Sequence, residues 1–495
     1  MTRARWRFGE LREDLPQLAR PMGLVLIGAA VAMCAAAMVG LAMDSPEGAR
    51  DMGISAAAVA VLAGIALALG RRAHLEAISR RNALLVVALC WGSLCLVGGL
   101  PFLIGADFRV SDAIFESTSG FTTTGATSLP EIEDRLNPAL HFWRLLMHWL
   151  GGMGIVVLFV AILPALGVGG KHLYRSEVPG PRKRGLSPRI RESASFLWKV
   201  YVVLTCVEIV ALWLAGLPLF EATTHAFSTV ATGGFSTQNA SAGGFDLAGV
   251  EWIITLFMII AGMNFGLFHD ALRRGPAVFW RDAQTRAYLG ILGCVAAVIA
   301  VVLVIDGNAA PEAARDSAFQ TASIMTGTGL GTADFEEWPS VTRMLLLGFY
   351  FTGACSGSTS GGMKLSRVMV LVKAAVAELR RSFRPHRVEP VRVGRAAVDP
   401  ATLGRILAFM GVYVLAVGLG AIWVALVEGV DGTTSLMASL ACVSNVGPGY
   451  GLVGPTDHFS FFSGPTKLVL SSLMLLGRLE FLTILALFTP GFWRR

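Results

Sequence analysis

The chain has 495 residues, of which 54% are hydrophobic and 15% are charged. Globular soluble domains carry about 25% charged residues, so a soluble protein of this composition could not cover its surface. The net charge of +7 could favour nucleic acid, but a membrane protein gathers the same excess of basic residues in its short cytoplasmic loops. The sequence therefore predicts an integral membrane protein.

Cysteine and histidine give no sign of a metal site. The seven cysteines are an odd, scattered set that argues against a disulfide framework, and most of them lie in apolar runs: Cys34, Cys90, Cys95, Cys206, Cys294, Cys355 and Cys442. His141 and His148 flank a predicted helix start, where we expect them to face an interface. No nucleophile and base are spaced to act together, so the sequence does not predict an enzyme.

Apolar runs long enough to cross a membrane recur along the chain. The first, from Met22 to Met43, follows several arginines as a signal peptide would, but it exceeds a signal core of about 7–15 residues and is counted as a span. Ten spans are predicted, at 22–43, 54–70, 83–105, 140–166, 195–217, 250–270, 285–305, 341–375, 403–428 and 465–489. An even number places both termini on one side.

The loops between these spans alternate in charge. Loops 71–82, 167–194, 271–286 and 364–405 are basic, and the last is the richest in lysine and arginine. The intervening loops are acidic, with residues such as Glu131, Asp246, Asp334, Glu336 and Asp457. Because basic loops stay in the cytoplasm, the alternation predicts a single orientation with both termini cytoplasmic.

Four outer connections share a pattern, in which a short apolar stretch precedes a cluster of Gly and Thr. They read SDAIFESTSGFTTTGAT (111–127), FEATTHAFSTVATGGFST (220–237), RDSAFQTASIMTGTGLGT (315–332) and TTSLMASLACVSNVGPGYG (433–451). They align on one glycine in each copy: Gly125, Gly234, Gly329 and Gly447. Thirteen positions earlier stand residues that favour a helix start, namely Asp112, Glu221, Asp316 and Thr434.

Such a fourfold repeat favours a re-entrant pore. Non-helical backbone is tolerated at membrane depth only where protein buries it or water lines it. A short helix that ends halfway across directs its negative dipole end at the membrane centre, where it favours a cation. Four Gly- and Thr-rich stretches around one axis would supply rings of carbonyl oxygens, and glycine permits the backbone angles they require. The alternative is that the glycines are packing contacts between helices.

Five motifs resemble the Trk/Ktr/HKT superfamily of potassium transporters, and specifically its bacterial Trk-type membrane subunit. They are SGFTTTGAT (119–127), HWLGGMGIVV (148–157), ATGGFST (231–237), CSGSTSGGMK (355–364) and GRLEFLTILALFTPGFWR (477–494). The resemblance implies an all-α integral membrane fold, with four helix–pore-loop–helix repeats around a pseudo-fourfold pore. The implied units are two N-terminal transmembrane helices at 1–80 and pore repeats at 81–190, 191–283, 284–395 and 396–495.

The resemblance also implies a potassium-binding selectivity filter with three residues from each repeat: Thr123, Thr124 and Gly125; Thr232, Gly233 and Gly234; Gly327, Thr328 and Gly329; and Asn445, Val446 and Gly447. In this superfamily a glycine in all four loops accompanies potassium selection, and a serine in the first loop accompanies sodium transport. Gly125 therefore implies potassium as the transported ion, with no bound cofactor. The fourth loop departs from the pattern, because Asn445 and Val446 stand where threonine is expected.

The predicted span 341–375 is interrupted by residues that destabilise a helix interior. Broken helices mark ion paths in transporters, and a plain kink is the alternative. The resemblance implies an intramembrane gating loop in repeat three, formed by Gly353, Cys355, Ser356, Gly357, Ser358, Thr359, Ser360, Gly361, Gly362 and Lys364. A phosphate-binding loop does not fit, because Met363 separates the glycines from Lys364 and Leu365 replaces the required Ser or Thr.

Arg478 lies inside the last predicted span, where a charge is costly and usually faces the bundle interior. The resemblance implies that it forms a barrier in the pore below the filter. The alternative is an ion pair with Glu480 or Glu208. Lys364 is a further basic residue that can lie at the cytoplasmic mouth.

A membrane potential of about 150 mV provides roughly 3.5 kcal/mol per inward positive charge, enough for a few-hundred-fold accumulation. A gated pore could therefore import potassium without an ATP site of its own, and symport with protons or sodium is the alternative. The resemblance implies a homodimer in the bacterial inner membrane that works with a cytosolic nucleotide-binding regulatory subunit. The basic 364–405 loop is a plausible docking surface for that subunit, although a topology signal explains it equally well.

Overall fold

The computed structural model describes residues 8–73, 80–154, 190–384, 390–394, 396–479 and 481–493. The first helices are α1 (Phe8–Ala42), α2 (Pro46–Leu69), α3 (Arg80–Val97), α4 (Leu100–Gly105), α5 (Val110–Phe121) and α6 (Pro138–Trp149), which continues into a π-helical turn at Leu150–Gly154. They are followed by α7 (Ile190–Leu214), α8 (Leu219–Val230), a 3-10 turn (Ser241–Phe245), α9 (Ala248–Ala261), α10 (Phe265–Arg274) and α11 (Ala277–Arg281).

The second half of the chain is also helical. It contains α12 (Ala283–Ile305), α13 (Ala310–Thr326), α14 (Ser340–Tyr350) and α15 (Leu365–Phe383). A short antiparallel pair of strands, β1 (Arg392–Val393) and β2 (Ala396–Ala397), precedes the last group. That group consists of α16 (Pro400–Glu428), α17 (Gly432–Ser444), α18 (Gly464–Arg478), α19 (Phe481–Leu487) and α20 (Pro490–Trp493).

Six of the ten predicted spans correspond to described helices that are long and apolar enough to cross a membrane. They are Asp14–Ala42, Pro46–Leu69, Leu84–Gly105, Ser195–Leu214, Ala283–Ile305 and Pro400–Glu428. The first two begin before the predicted residues 22 and 54, because polar turns extend each helix beyond its apolar run. Large side chains on these helices stay uncovered, with Ile305 and Leu426 each 80% exposed, as expected where lipid is the solvent.

The other four predicted spans are shorter or broken in the described residues. Span 250–270 is a pair, α9 and α10, bent by 87°. Span 341–375 is divided between α14 and α15, and span 465–489 between α18 and α19. The described part of span 140–166 ends at Gly154, and its remainder lies outside the described residues, as does most of the basic loop 167–194.

Four short helices, α5, α8, α13 and α17, precede the Gly- and Thr-rich loops and are called pore helices 1 to 4 below. Asp112, Glu221 and Thr434 lie in the first turns of pore helices 1, 2 and 4, as predicted. The prediction for Asp316 is wrong, because pore helix 3 begins six residues earlier, at Ala310. Pore helix 4 is capped by Asp431, whose carboxylate accepts hydrogen bonds from the amides of Thr433 and Thr434.

Longer helices surround the pore helices. α3, α7, α12 and α16 pack against pore helices 1, 2, 3 and 4, respectively. α18, which follows pore helix 4, packs against pore helix 1, so the fourth group contacts the first. α1 packs along α2 and against α3 and α6, and α2 also packs against α4 and α6, outside this ring. The pore helices are thereby shielded from lipid, which lets them bury polar residues such as Ser119, Ser228 and Ser323 completely.

Candidate ion-conducting site

The four Gly- and Thr-rich loops, called filter loops 1 to 4, meet in a closed ring. A Cβ added to Gly125 would clash with the carbonyl oxygen of Gly233 in filter loop 2, and one added to Gly234 would clash with filter loop 3. A Cβ on Gly329 would lie 3.1 Å from the amide nitrogen of Gly447, and one on Gly447 would lie 2.8 Å from the carbonyl carbon of Gly125. Each loop thus touches the next, and the fourth touches the first.

All four pore helices end in the same hydrogen-bond pattern. The amide of the second filter residue donates to the carbonyl five residues earlier, at 2.8–3.0 Å, in the pairs Thr124–Ser119, Gly233–Ser228, Thr328–Ser323 and Val446–Ala441. The amide of the first filter residue donates to the carbonyl three residues earlier, at 2.9–3.3 Å, in the pairs Thr123–Gly120, Thr232–Thr229, Gly327–Ile324 and Asn445–Cys442. This is the Schellman motif, which stops each helix at the same register beside the ring.

The motif requires a left-handed backbone at the first filter residue of every loop. The φ angles there are +52° at Thr123, +55° at Thr232, +74° at Gly327 and +54° at Asn445. Glycine and asparagine adopt this conformation readily, whereas a β-branched threonine is strained by it. The sequence alone does not reveal this left-handed residue, although the loops align residue by residue.

The glycine that ends each filter loop has a second role. Gly125, Gly234 and Gly329 have φ angles of +84°, +88° and +79°, which only glycine adopts easily. The expectation that all four glycines need such angles is wrong for Gly447, which is not among the residues of positive φ. Gly447 is required instead by its close approach to the backbone of filter loop 1.

Side chains in the ring support the loops in two ways. In filter loops 1 and 3, paired hydroxyls are 2.7 Å apart, between Thr122 and Thr124 and between Thr326 and Thr328. In filter loop 4, the Asn445 side-chain amide donates to Thr124 Oγ1 in filter loop 1, at 2.9 Å. The departure at Asn445 therefore creates a bond between repeats rather than a gap.

A cavity of about 120 Å³ adjoins the ring, lined by all four filter glycines and by the residues that follow them. Its wall includes Asp457 and His458. Glu336 stands near Asp457 and accepts a hydrogen bond from the amide of Gly451 at 2.6 Å. Burial raises the pKa of Glu336, and the neighbouring acidic residues raise it further. Carboxylates from two repeats thus flank the mouth of the ring.

The predicted interruption of span 341–375 is a loop packed against the filter. Gly361 and Gly362 lie against the start of filter loop 4. A Cβ added to Gly361 would come within 2.6 Å of the Asn445 Cβ, and one added to Gly362 would clash with the Ser444 carbonyl oxygen. The Thr359 hydroxyl donates to the Val230 carbonyl at the end of pore helix 2, at 3.1 Å.

Further bonds fix the base of this loop to α9 and α10. The amide of Cys355 donates to the Gly262 carbonyl at 3.1 Å, and the carbonyl of Gly357 accepts from Phe265 at 3.0 Å. Ser358 bonds within the loop, its hydroxyl donating to the Cys355 carbonyl. Gly353 provides one of the left-handed turns, with φ of +56°. Further contacts join Ser356 to Ser366, and Lys364 to the carbonyl of Ser360.

Arg478, the last residue of α18, bridges this loop and repeat one. Its guanidinium donates to the carbonyl of Thr359 and to the carbonyls of Gly151 and Gly152, each at 2.8 Å. Glu480, one predicted ion-pair partner, lies outside the described residues, and Glu208, the other, is a fully buried residue of α7. Lys364 is only 5% exposed, so its ammonium is enclosed by the loop rather than open at a mouth.

Sequence reasoning assigned no role to Glu116 and Arg144, which the structure places directly behind the filter. They form a buried ion pair of 2.6 Å between pore helix 1 and α6. His148, expected near a helix start, lies in the last turn of α6 and stacks on Phe235, next to Gly234. The available signal was a charged residue within an apolar helix, which is costly unless it is paired.

A helical membrane protein whose four re-entrant loops close a ring of backbone groups belongs to the class of fourfold-repeat cation pores. The chain is more specifically a member of the TrkH family, described as cation transport proteins, whose family model matches residues 53–494. This membership confirms the resemblance and the all-α membrane fold inferred from the five motifs.

Individual relatives extend over most of the chain. The Trk system potassium uptake protein TrkH of Salmonella typhimurium is 40% identical over 442 residues, covering 87% of this chain and 91% of the relative. That of Halomonas elongata is 38% identical over 487 residues, covering 97% and 100%. The crystal structure of the potassium transporter TrkH from Vibrio parahaemolyticus superposes with a TM-score of 0.86 at 36% identity, covering 97% of this chain and 99% of that one.

Proposed function

We propose that this chain takes up potassium through a pore on the axis of the four filter loops. The observation that carries the proposal is the closed ring of Gly125, Gly234, Gly329 and Gly447, each against the next loop. Carbonyl oxygens of such loops replace the hydration shell of a cation. Relatives of similar length are potassium uptake proteins. The proposed ligands are the twelve filter residues, Thr123–Gly125, Thr232–Gly234, Gly327–Gly329 and Asn445–Gly447.

The driving force in this proposal is the membrane potential. Both termini face the cytoplasm, as the alternation of basic and acidic loops indicates. The carboxylates of Glu336 and Asp457 then flank the outer mouth, where they attract cations toward the cavity above the ring. The ends of the pore helices add their negative dipoles on the inner side of the same ring.

The gate in this proposal is the loop of repeat three, from Gly353 to Lys364, together with Arg478. Through Thr359, Gly361 and Gly362 the loop contacts the end of pore helix 2 and the start of filter loop 4. Arg478 holds the loop through the Thr359 carbonyl, and its positive charge opposes a cation that leaves the filter. Movement of the loop away from the ring would remove the first obstacle and break the bond between Arg478 and the Thr359 carbonyl.

In this proposal, the chain works as a homodimer together with a cytosolic nucleotide-binding regulatory subunit. The names of the relatives place them in a Trk system. The docking surface is the 364–405 region, where Arg380, Arg381 and Arg384 are exposed near the end of α15. An exposed basic helix end offers the charge for an acidic partner surface.

Reconstitution into liposomes tests the proposed function. Uptake through a pore gives a current that reverses at the potassium equilibrium potential and does not change when a pH gradient is imposed. Gly125→Ser is expected to admit sodium and to lower the potassium-to-sodium permeability ratio about tenfold, equivalent to about 1.4 kcal/mol. The reason is that a side chain at Gly125 clashes with the Gly233 carbonyl and disturbs the ring.

Gly307→Ser is the matched control. Gly307 also has a positive φ, of +108°, but a Cβ there meets open space, between α12 and pore helix 3. We expect this variant to keep the ratio of the parent. Equal ratios in the Gly125→Ser variant and the parent would contradict the filter assignment. A flux that follows a pH or sodium gradient would replace the pore with a coupled symporter.

A further inference from the structure

A buried ion pair lies behind filter loops 1 and 2. Glu116, on pore helix 1, and Arg144, on α6, are in contact at 2.6 Å, and their side chains are 0% and 1% exposed. Removing two charges from water costs several kcal/mol per ion, so the pair persists only if further bonds satisfy both groups. Among the described residues, those further bonds lead to the segments that follow the filter glycines.

Glu116 holds the segment after filter loop 1. Its carboxylate accepts hydrogen bonds from the Ser128 amide at 2.9 Å and from the Thr127 hydroxyl at 3.0 Å. Thr127 and Ser128 stand two and three residues after Gly125. The carboxylate thus fixes the chain just where it leaves the ring.

Arg144 holds the equivalent segment of filter loop 2. Its guanidinium donates to the Ser236 carbonyl at 2.8 Å and lies over the Phe235 ring, 3.6 Å from the centroid. These two residues directly follow Gly234. One ion pair therefore connects the exit segments of two adjacent filter loops.

His148 completes the arrangement from the other side of Phe235. Its Nε2 accepts the Phe235 amide at 3.1 Å, which leaves Nδ1 as the donor to the Gly120 carbonyl at 2.7 Å. Its ring stacks on the Phe235 ring with centroids 4.2 Å apart. Phe235 is consequently clamped between Arg144 and His148, and the backbone of filter loop 2 has little freedom to shift.

We infer that the Glu116–Arg144 pair is a positioning pair that sets the ion selectivity of the ring. The inference rests on the proposed potassium pore. The spacing between the carbonyls of filter loops 1 and 2 depends on both exit segments, and the pair ties these segments to each other through charged hydrogen bonds. Glu116 also offsets the positive charge of Arg144, which lines the cavity through which cations approach.

Glu116→Gln tests the inference in liposomes, with the permeability ratio of potassium to sodium as the readout. The amide keeps the size of the side chain but loses its charge and one strong acceptor. We expect the ratio to fall about tenfold and the potassium current to fall with it. A merely structural role would reduce the amount of active protein, and therefore the flux, but leave the ratio unchanged.

Glu251→Gln is the matched control. Glu251 forms a similar ion pair of 2.8 Å with Arg315, between α9 and pore helix 3. Its side chain is 6% exposed, and the pair is made to the pore helix rather than to a segment that follows a filter glycine. This variant is expected to keep the ratio of the parent. A ratio that falls equally in both variants would overturn the inference, as would an unchanged ratio in Glu116→Gln.

Glu116→Asp decides the matter if the glutamine variant does not accumulate in the membrane. The shorter carboxylate keeps the charge but cannot reach Arg144 and Ser128 together, so a lowered ratio supports positioning and an unchanged ratio overturns it. The parent and Gly125→Ser are measured in the same series. A parent without selective potassium flux would overturn the proposed function itself, whereas a selective parent with an insensitive Glu116 overturns only the inference.

Discussion

The first residue of each filter loop shows how one backbone conformation accommodates different side chains. The threonines at 123 and 232 adopt left-handed angles that cost a residue with a Cβ roughly 1–2 kcal/mol. They remain there because the Schellman bonds and the neighbouring loops determine the backbone. Asn445 tolerates the same angles and uses its amide to bond both Thr124 Oγ1 and the Met474 carbonyl, each at 2.9 Å.

Glycine substitutions at the first residue of filter loops 4 and 2 are expected to differ in their effect on stability. Asn445→Gly keeps the backbone angle but loses two buried hydrogen bonds, so the free energy of unfolding should fall by about 1–3 kcal/mol. Thr232→Gly relieves strain and is expected to be neutral or stabilising. The melting temperatures of the two purified variants in detergent, compared with the parent, measure the difference. A Thr232→Gly variant that melts below Asn445→Gly would refute this account.

Equivalent positions in the four repeats could be predicted from the sequence. Contacts between residues that are distant in the sequence could not. Gly125, Gly234, Gly329 and Gly447 could be aligned because the repeat preserves their positions along the chain. The different angle at Gly447 could not be predicted, since it depends on how filter loop 4 lies against filter loop 1. The ion pair of Glu116 with Arg144 could not be predicted either, because it depends on how pore helix 1 packs against α6.

At the scale of elements, the breaks in helices determine where the site lies. The loop between α14 and α15 was predictable, because its glycines and serines oppose a continuous helix. The 87° bend between α9 and α10 was missed. Its local signal is Asn264, which caps α10 by accepting the Gly266 amide at 2.9 Å. A helix-start residue inside an apolar run indicates two helices rather than one.

Arg478→Gln is expected to raise potassium flux at a fixed membrane potential. The substitution removes a positive charge near the proposed ion path and weakens the bonds to Thr359, Gly151 and Gly152. A unit charge about 10 Å from the ion contributes about 1.7 kcal/mol at an effective dielectric constant of about 20, so the flux should rise by a factor of about 15–20.

Rubidium or potassium tracer uptake into liposomes, without any partner protein, measures this effect. Arg405→Gln is the control, because Arg405 is exposed on α16 and its guanidinium bonds the Ala401 carbonyl of its own helix. A flux in Arg478→Gln that matches the control would show that this arginine is structural rather than a barrier.

At the scale of the whole molecule, one chain forms the entire ring. Its four repeats must therefore be joined at four boundaries between neighbouring repeats, called seams here. Each seam contains a polar contact between neighbouring repeats, which adds to the stability of the closed ring. The contacts are Glu133 with the Asn239 amide, Glu251 with Arg315, Glu336 with the Gly451 amide, and Asp112 with Lys467. The last of these joins the two ends of the repeat array.

Asp112→Asn should therefore destabilise the protein more than the same chemical change at another seam. Lys467 is 5% exposed and contacts Asp112 at 2.6 Å, so removing the carboxylate leaves a largely buried ammonium with weaker partners. A hydrogen bond between charged groups contributes about 1.5–3 kcal/mol, and we expect a loss of that size in the free energy of unfolding.

Glu133→Gln is the comparison, because Glu133 is exposed and such changes usually stay within about 0.5 kcal/mol. Thermal unfolding in detergent, followed at low and high salt, measures both variants. The loss in Asp112→Asn should persist at high salt, because a buried pair is screened little. Equal melting temperatures for the two variants would mean that closure of the ring depends on apolar packing between α18 and pore helix 1 rather than on this ion pair.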